Sequence, residues 1–362
     1  MSAQIVICCG SGGVGKTTTS AALALKWAMS GSSVCVLTID PAQRLADSLD
    51  IEKTGDETTP IHIPGARGRC DAVMLNVADT FKGLIHQFAD SPEAAQQILD
   101  NRYFQFASTQ LGGVHEFMAA ERVRQLATDG QYDVVVVDTP PTRNALDFLN
   151  APERMAGLMD GAVMRWMSMP ATRGGWRALE LGSEAVTRVL RMLVGQGTIG
   201  EIAQFFELFR GLWAGFHARS MDMQRMLRDD STRFVLISSP EPTAREEALF
   251  FLSQLKAKGM PFGGFIINRV ETAVARKIQP SDFPLDGPGD WPTTVDQLVA
   301  ICGVQTRLAE IHKRSIQALT SAGPLGTKHW EIPHQGQPIN NLEDLLSIGV
   351  HLPQRDALHY PR

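Results

Sequence analysis

The chain has 362 residues, 44% of them hydrophobic, which is apolar mass enough for one large domain or two small ones around a buried core. Lysine and arginine number 34 against 39 aspartate and glutamate, a net charge of -5 with no basic run. Nucleic acid is therefore excluded as an expected partner, and the only polyanion site to look for is a local one for phosphate.

In chain order, the first apolar run, Ile5 to Cys9, leads into CGSGGVGKTT and then into the helix-forming TTTSAALALKWAMS. Gly10 to Thr17 fits G-x-x-x-x-G-K-[ST] in the strand, loop, helix context that a phosphate loop requires. Glycines let the backbone turn its N–H groups onto phosphate oxygens, and the helix N-terminus adds partial positive charge. Gly10, Gly12, Gly13, Val14, Gly15 and Thr18 would line the phosphates of ATP or ADP. Lys16 would reach the β and γ phosphates, and the Thr17 hydroxyl would bind Mg2+. The alternative is a glycine-rich turn with an incidental lysine.

Further apolar runs follow, each trailed by turn residues and helical periodicity: VCVLTI (34–39), AVMLNV (72–77), VVVVD (134–138), FVLISS (234–239) and GFIIN (264–268). Doubly apolar strands alternating with helices predict an α/β, doubly wound, mostly parallel sheet covered on both faces. Two aspartates close such runs, Asp40 and Asp138. Ligands of open parallel sheets sit beyond the carboxyl ends of the strands, so both should face the crevice of the phosphate loop. Asp138 suits a residue that holds Mg2+ through water, and Asp40 one that orients or deprotonates an attacking water. The alternative for each is a helix N-cap.

The rhythm stops between about Asn150 and Asp230, where the sequence is Met-rich and helical. Residues 151–230 are therefore expected to form an inserted helical subdomain within a nucleotide-binding domain made of 1–150 and 231–362. Its apolar stripe, from Ile202 through Phe205, Phe209 and Trp213 to Phe216, is either a groove for hydrophobic helices or simply core. Pro-rich Glu271 to Thr294 reads as a loop, Val295 to Ala322 as a helix, His329 to Ile332 as a strand, and a short helix should follow Pro338. The five cysteines, odd in number and without CxxC spacing, read as reduced core residues. With no basic leader and no apolar stretch of bilayer length, the expected location is cytoplasmic.

GSGGVGKTT, then DPAQRLADSL, then DTPPTRNALDFL resembles the ArsA-type ATPases, a deviant Walker A family that includes the arsenite-pump ATPase and the ATPase targeting tail-anchored membrane proteins. The resemblance runs on through the helical insertion, SSPEPTAREEALFFLSQL and FIINRV. It implies hydrolysis of ATP to ADP and phosphate, with Mg2+, by a nucleotide-dependent dimer whose two phosphate sites face each other. That dimer would be a homodimer or a heterodimer with a paralogous subunit, acting on a hydrophobic helical client or a membrane protein. Asp40 matches the switch I aspartate that activates water, Asp138 the switch II aspartate near Mg2+, and Asn268 the asparagine that reads adenine. Pro333 falls in the family's adenine-contacting loop.

The departures carry expectations of their own. The family's loop reads GKGGVGKTT, whose first lysine reaches the partner's nucleotide, and here that position is Ser11. A hydroxyl supplies no charge, and loss of a transition-state cation costs orders of magnitude in rate. Hydrolysis by an isolated homodimer should be slow unless a paralogous subunit, or Arg143, supplies the charge. Arg143 and Asn144 stand where the family often has Gly-His. No CxxC follows Asn268, so no zinc is expected, and no cysteine lies between Cys70 and Cys302 to capture arsenite. Three functions stay open: engagement of a client, energising of an anion or arsenite pump, and nucleotide sensing by a weakly catalytic regulatory subunit.

Overall fold

The computed structural model describes residues 3–39, 49, 57–102, 105, 113–159, 199–274, 278–284, 290–339 and 341–358, with the backbone alone at 142–144, 158–159 and 199–211. Eight strands form one sheet in the order β3-β4-β2-β5-β1-β6-β7-β8. They are β1 (Gln4–Cys9), β2 (Ser33–Thr38), β3 (Thr59–Ile61), β4 (Arg69–Met74), β5 (Val134–Asp138), β6 (Thr232–Ser238), β7 (Phe262–Val270) and β8 (His329–Pro333). Every pairing is parallel except β3 with β4. This is the expected doubly wound α/β sheet.

Alternate residues of each central strand enter opposite cores, which is why the strands read as continuous apolar runs. Ile5, Ile7, Cys35, Leu37, Val135, Val137, Phe234 and Leu236 face one core. Val6, Cys8, Val34, Val36, Val134, Val136, Val235 and Ile237 face the other. The second core is closed by α1 (Lys16–Met29) and α9 (Leu342–Gly349), through Ala21, Leu25, Leu345 and Ile348. The first is closed by α2 (Val77–Phe88), α3 (Pro92–Asp100), α4 (Val114–Thr128), α5 (Thr142–Met159), α6 (Ile199–Arg228), α7 (Pro242–Ala257) and the end of α8 (Trp291–Ala322).

The described side chains of α6 root that helix in the first core. Phe216 lies between Phe81 of α2 (centroids 6.0 Å apart) and Phe117 of α4 (5.9 Å). Beside them the buried Glu121 takes a bidentate pair from Arg124 at 2.9 Å and lies 3.4 Å from Arg219 of α6. Burial pulls the Arg219 guanidinium below its ordinary range, against the pull of Glu121. Leu212, Trp213 and Phe216 of the apolar stripe are thus core, while the side chains of Ile202, Phe205 and Phe209 lie outside the described residues.

Two elements differ from the sequence expectation. β3 is a three-residue antiparallel edge strand carrying Pro60, too short for alternation to mark and at the edge position where proline is tolerated. α8 starts at Trp291, inside the expected loop, because Pro292 occupies the first turn, where its missing N–H costs nothing. No helix among the described residues is long and apolar enough to cross a membrane.

Candidate functional site

Between β1 and α1 the backbone runs so close to β6 that Gly10 has no room for a side chain. A Cβ there would lie 2.0 Å from the Ile237 carbonyl oxygen. Gly13 (φ 79) and Gly15 (φ 89) adopt left-handed conformations that favour glycine, and a Cβ on Gly15 would meet Asn268 Nδ2 at 2.4 Å. Gly15 is the N-cap of α1 and, having no side chain, leaves the first-turn amides of Lys16 to Thr18 facing outward. Gly12 and Gly13 are exposed at the tip, and Val14 anchors the loop in the second core.

Lys16 is only 8% exposed, and its Nζ donates to the Ser11 carbonyl at 2.8 Å. Ser11, itself buried, thus contributes its main chain to holding the loop's lysine. The Thr17 hydroxyl donates to Asp138 Oδ2 at 2.8 Å, and the Thr38 hydroxyl donates to the same oxygen at 3.2 Å. Asp138 is fully buried at the end of β5, level with Thr38 on β2 and with Cys8 on β1. The next residue, Thr139, donates its hydroxyl to the Cys8 carbonyl at 2.8 Å and so pins the chain leaving β5 to β1.

The oxygens of Thr17 and Asp138 are hard donors beside the glycine loop, a donor type that suits Mg2+ when water and phosphate oxygens complete its shell. They are two groups, not a cage, and among the described residues no three His, Cys, Asp or Glu side chains are placed to hold a metal ion. Burial pushes the Cys8 thiol up to about 12, with the Asp138 charge adding to the rise, and burial raises Cys9 further. Both are therefore thiols rather than thiolates beside this site.

Asn268, near the end of β7, donates from Nδ2 to the Val14 carbonyl at 2.9 Å and accepts at Oδ1 from the Arg269 amide, also at 2.9 Å. Each end of the carboxamide has capacity for a second bond, so a residue bracing the loop can also face a base. Arg269 has φ 59, a left-handed conformation in a residue with a Cβ. Pro333 ends the adjacent β8 opposite Val270, and His334 beyond it lies 3.0 Å from Glu271 through Nδ1. Pro333 and Asn268 are therefore brought to one end of the sheet. Asp40 lies outside the described residues, as do the side chains of Arg143 and Asn144.

Thr38 and Thr139 were not singled out in the sequence. The available signal was a polar residue closing an apolar run, as in VCVLT, but its partner depends on the pairing of β2 with β5, which the local sequence does not state.

Residues 3–277 match the sequence profile of the family described as anion-transporting ATPase, of ArsA type. The chain belongs to this family. It is 24% identical over 277 residues to the putative arsenical pump-driving ATPase 1 of Aquifex aeolicus, covering 74% of this chain and 63% of that protein. It is 31% identical over 169 residues to the ATPase GET3 of Malassezia globosa, covering 47% of each. A second ATPase GET3, of Phaeosphaeria nodorum, is 26% identical over 263 residues, 72% of this chain and 74% of that protein. The matches thus span less than two thirds of the first two of these relatives. The loop from Gly10 to Thr17 falls within the part of this ArsA-type chain that the family profile matches.

Proposed function

We propose that the chain is a Mg2+-dependent ATPase that works as a nucleotide-switched dimer in the cytoplasm and engages a hydrophobic or membrane-linked client. The observation that carries this reading is the junction of Lys16, Thr17 and Asp138 at the carboxyl end of the sheet, on a loop that glycine alone permits. Lys16 and the loop amides would stabilise phosphate charge, while Asn268 and Pro333 would receive adenine. Thr17 and Asp138 would hold Mg2+, the latter through water, and the ion when bound neutralises charge on the β and γ phosphate oxygens. Asp40 would position the attacking water. Residues 151–230 would be the helical subdomain that meets the client, inserted between the two parts of the nucleotide domain, 1–150 and 231–362.

Ser11 offers no cation to a partner's nucleotide, so the isolated chain should turn over slowly and gain rate from a paralogous subunit or from Arg143. The test is ATP binding and steady-state hydrolysis by the purified chain. Asp40→Asn should keep ATP binding and lose most turnover, whereas Lys16→Ala should weaken both. Unchanged turnover in Asp40→Asn removes its role, and no ATP binding by the wild type removes the whole reading.

A second reading, energising an anion pump, is favoured by the arsenical pump-driving relative. Stimulation of turnover by arsenite would support it, although this chain has no cysteine between Cys70 and Cys302 to capture a soft metalloid.

A further inference from the structure

Between Ile267 and Val270 the ladder of β7 with β8 slips by one residue, so that Asn268 and Arg269 stand against the single residue Ile332. A bulge of this kind re-aims a side chain. Inside it Arg269 holds φ 59, a left-handed conformation that is unfavourable for a residue with a Cβ and persists only where its surroundings fix it. Two other elements fix it, both through Glu271. The Glu271 amide donates at 3.0 Å to His312 Nδ1, half-buried on α8. Glu271 Oε1 lies 3.0 Å from His334 Nδ1, and the His334 amide donates to the Val270 carbonyl at 2.9 Å. A backbone N–H can only donate, so His312 accepts at Nδ1 and carries its proton on Nε2; a carboxylate can only accept, so His334 carries a proton on Nδ1. The stretch 269–271 is thus fastened both to α8 and to the end of β8.

We propose that His312, Glu271 and His334 are positioning residues for the nucleotide base, a role that rests on Asn268 being the residue that faces adenine. They hold the bulge so that Asn268 presents its carboxamide in one direction. Asn268 is tethered to the loop through Nδ2 on the Val14 carbonyl, and its Oδ1 accepts from the Arg269 amide. The direction of that oxygen therefore follows the backbone of Arg269, which the two histidines hold through Glu271. Removing the His312 acceptor takes from the Glu271 amide its partner and lets the left-handed turn relax, carrying Asn268 Oδ1 with it. The β and γ phosphates would sit instead on Lys16, whose Nζ is held by the Ser11 carbonyl, and on the first-turn amides of α1. Loss of the histidine contacts therefore falls on the base and spares the phosphates.

The test compares, by calorimetry on the full chain, the affinities of ATP and of inorganic tripolyphosphate, both with Mg2+. The two share the phosphates and differ by the nucleoside, so their ratio isolates the base, and any general loosening of the loop cancels. His312→Leu should reduce the preference for ATP about tenfold, what the lost partner of a half-buried amide is worth. His312→Asn, whose Oδ1 can accept in place of Nδ1, should restore most of it. His334 is exposed, so His334→Ala probes the same lock without touching the core and should move the preference in the same direction. In steady-state hydrolysis the loss should appear in KM rather than kcat, because base contacts are alike in the ground and transition states. A wild type that prefers ATP, with His312→Leu and His334→Ala keeping that preference, overturns the positioning role. Equal weakening of ATP and tripolyphosphate overturns it too, since the histidines would then support the whole loop. If His312→Leu does not fold, His334→Ala decides by the same criterion. A wild type that binds ATP no more tightly than tripolyphosphate removes the base site itself, and with it both Asn268 as its reader and this role.

Discussion

α1 and α8 each follow a parallel strand and each return the chain to the next, yet their surroundings are opposites. α1 has 14 residues, as long as the sheet can cover, and fits there with small side chains at Ala21, Ala22, Ala24 and Ala28, all buried. Its end is tied to the C-terminal segment, with Trp27 Nε1 donating to the Pro353 carbonyl at 3.0 Å and Lys26 Nζ donating to the Leu352 carbonyl. α8, at 32 residues, is longer than the strands it joins and carries large apolar residues past the edge of the core. Small residues mark a helix that the fold encloses, and a large-residue stripe on an overlong helix marks one that the fold leaves half uncovered.

The sharpest break in that comparison should come at Leu319, fully buried on the docked half of α8. Leu319→Ala should cost about 2–5 kcal/mol of unfolding free energy, the range for a truncated core leucine. Urea unfolding of the two proteins measures it, and a loss under about 1 kcal/mol would mean that this half is no better packed than the other.

Next in size is the entry to α1. In Gly10→Ala the added methyl would fall 2.0 Å from the Ile237 carbonyl oxygen and 3.3 Å from Val14 Cγ2, so the loop must move away from β6. Overpacking of this kind costs about 1–3 kcal/mol, and the same displacement should weaken ATP binding. Unchanged stability together with unchanged ATP affinity would refute the close approach of loop and strand.

These two sites were unequally legible in the sequence. The loop from Gly10 to Thr17 could be read because its meaning is local: contiguous residues, a strand before them and a helix after. The sheet could be read because alternate residues of IVICC and VVVV must both be apolar when both faces are covered. The bracing was hidden. Asn268 holds Val14 across 254 residues of chain, and Thr38 shares Asp138 with Thr17 only because β2 and β5 pair in that register. The helix from Val295 to Ala322 was legible, but which half of it meets the core depends on packing that the local sequence does not state.

A smaller effect per group separates the thiols of the two regions. Cys8 lies in the core beneath α1, and Cys35 is buried on β2. Burial pushes each thiol from 9.0 up to about 12. The folded state thus keeps its protons where the unfolded chain loses them. This stabilisation is fully present below pH 9.0 and is lost as the pH rises from there toward about 12. Each such thiol should contribute about 1.4 kcal/mol of lost stability per pH unit in that window, measurable as a falling urea midpoint. Cys302, half-buried on α8, should react first with a water-soluble thiol reagent at neutral pH. Modification of Cys8 ahead of Cys302 would contradict the enclosure of the sheet beneath α1.

The smallest effect is the most specific test of the two halves of α8. Ile301 is 61% exposed, so Ile301→Ala removes little surface that folding had buried, and surface changes of this kind stay within about 0.5 kcal/mol. Urea unfolding measures it: if Ile301→Ala loses as much as Leu319→Ala does, Ile301 is enclosed by its own chain and the contrast between the two halves of α8 disappears.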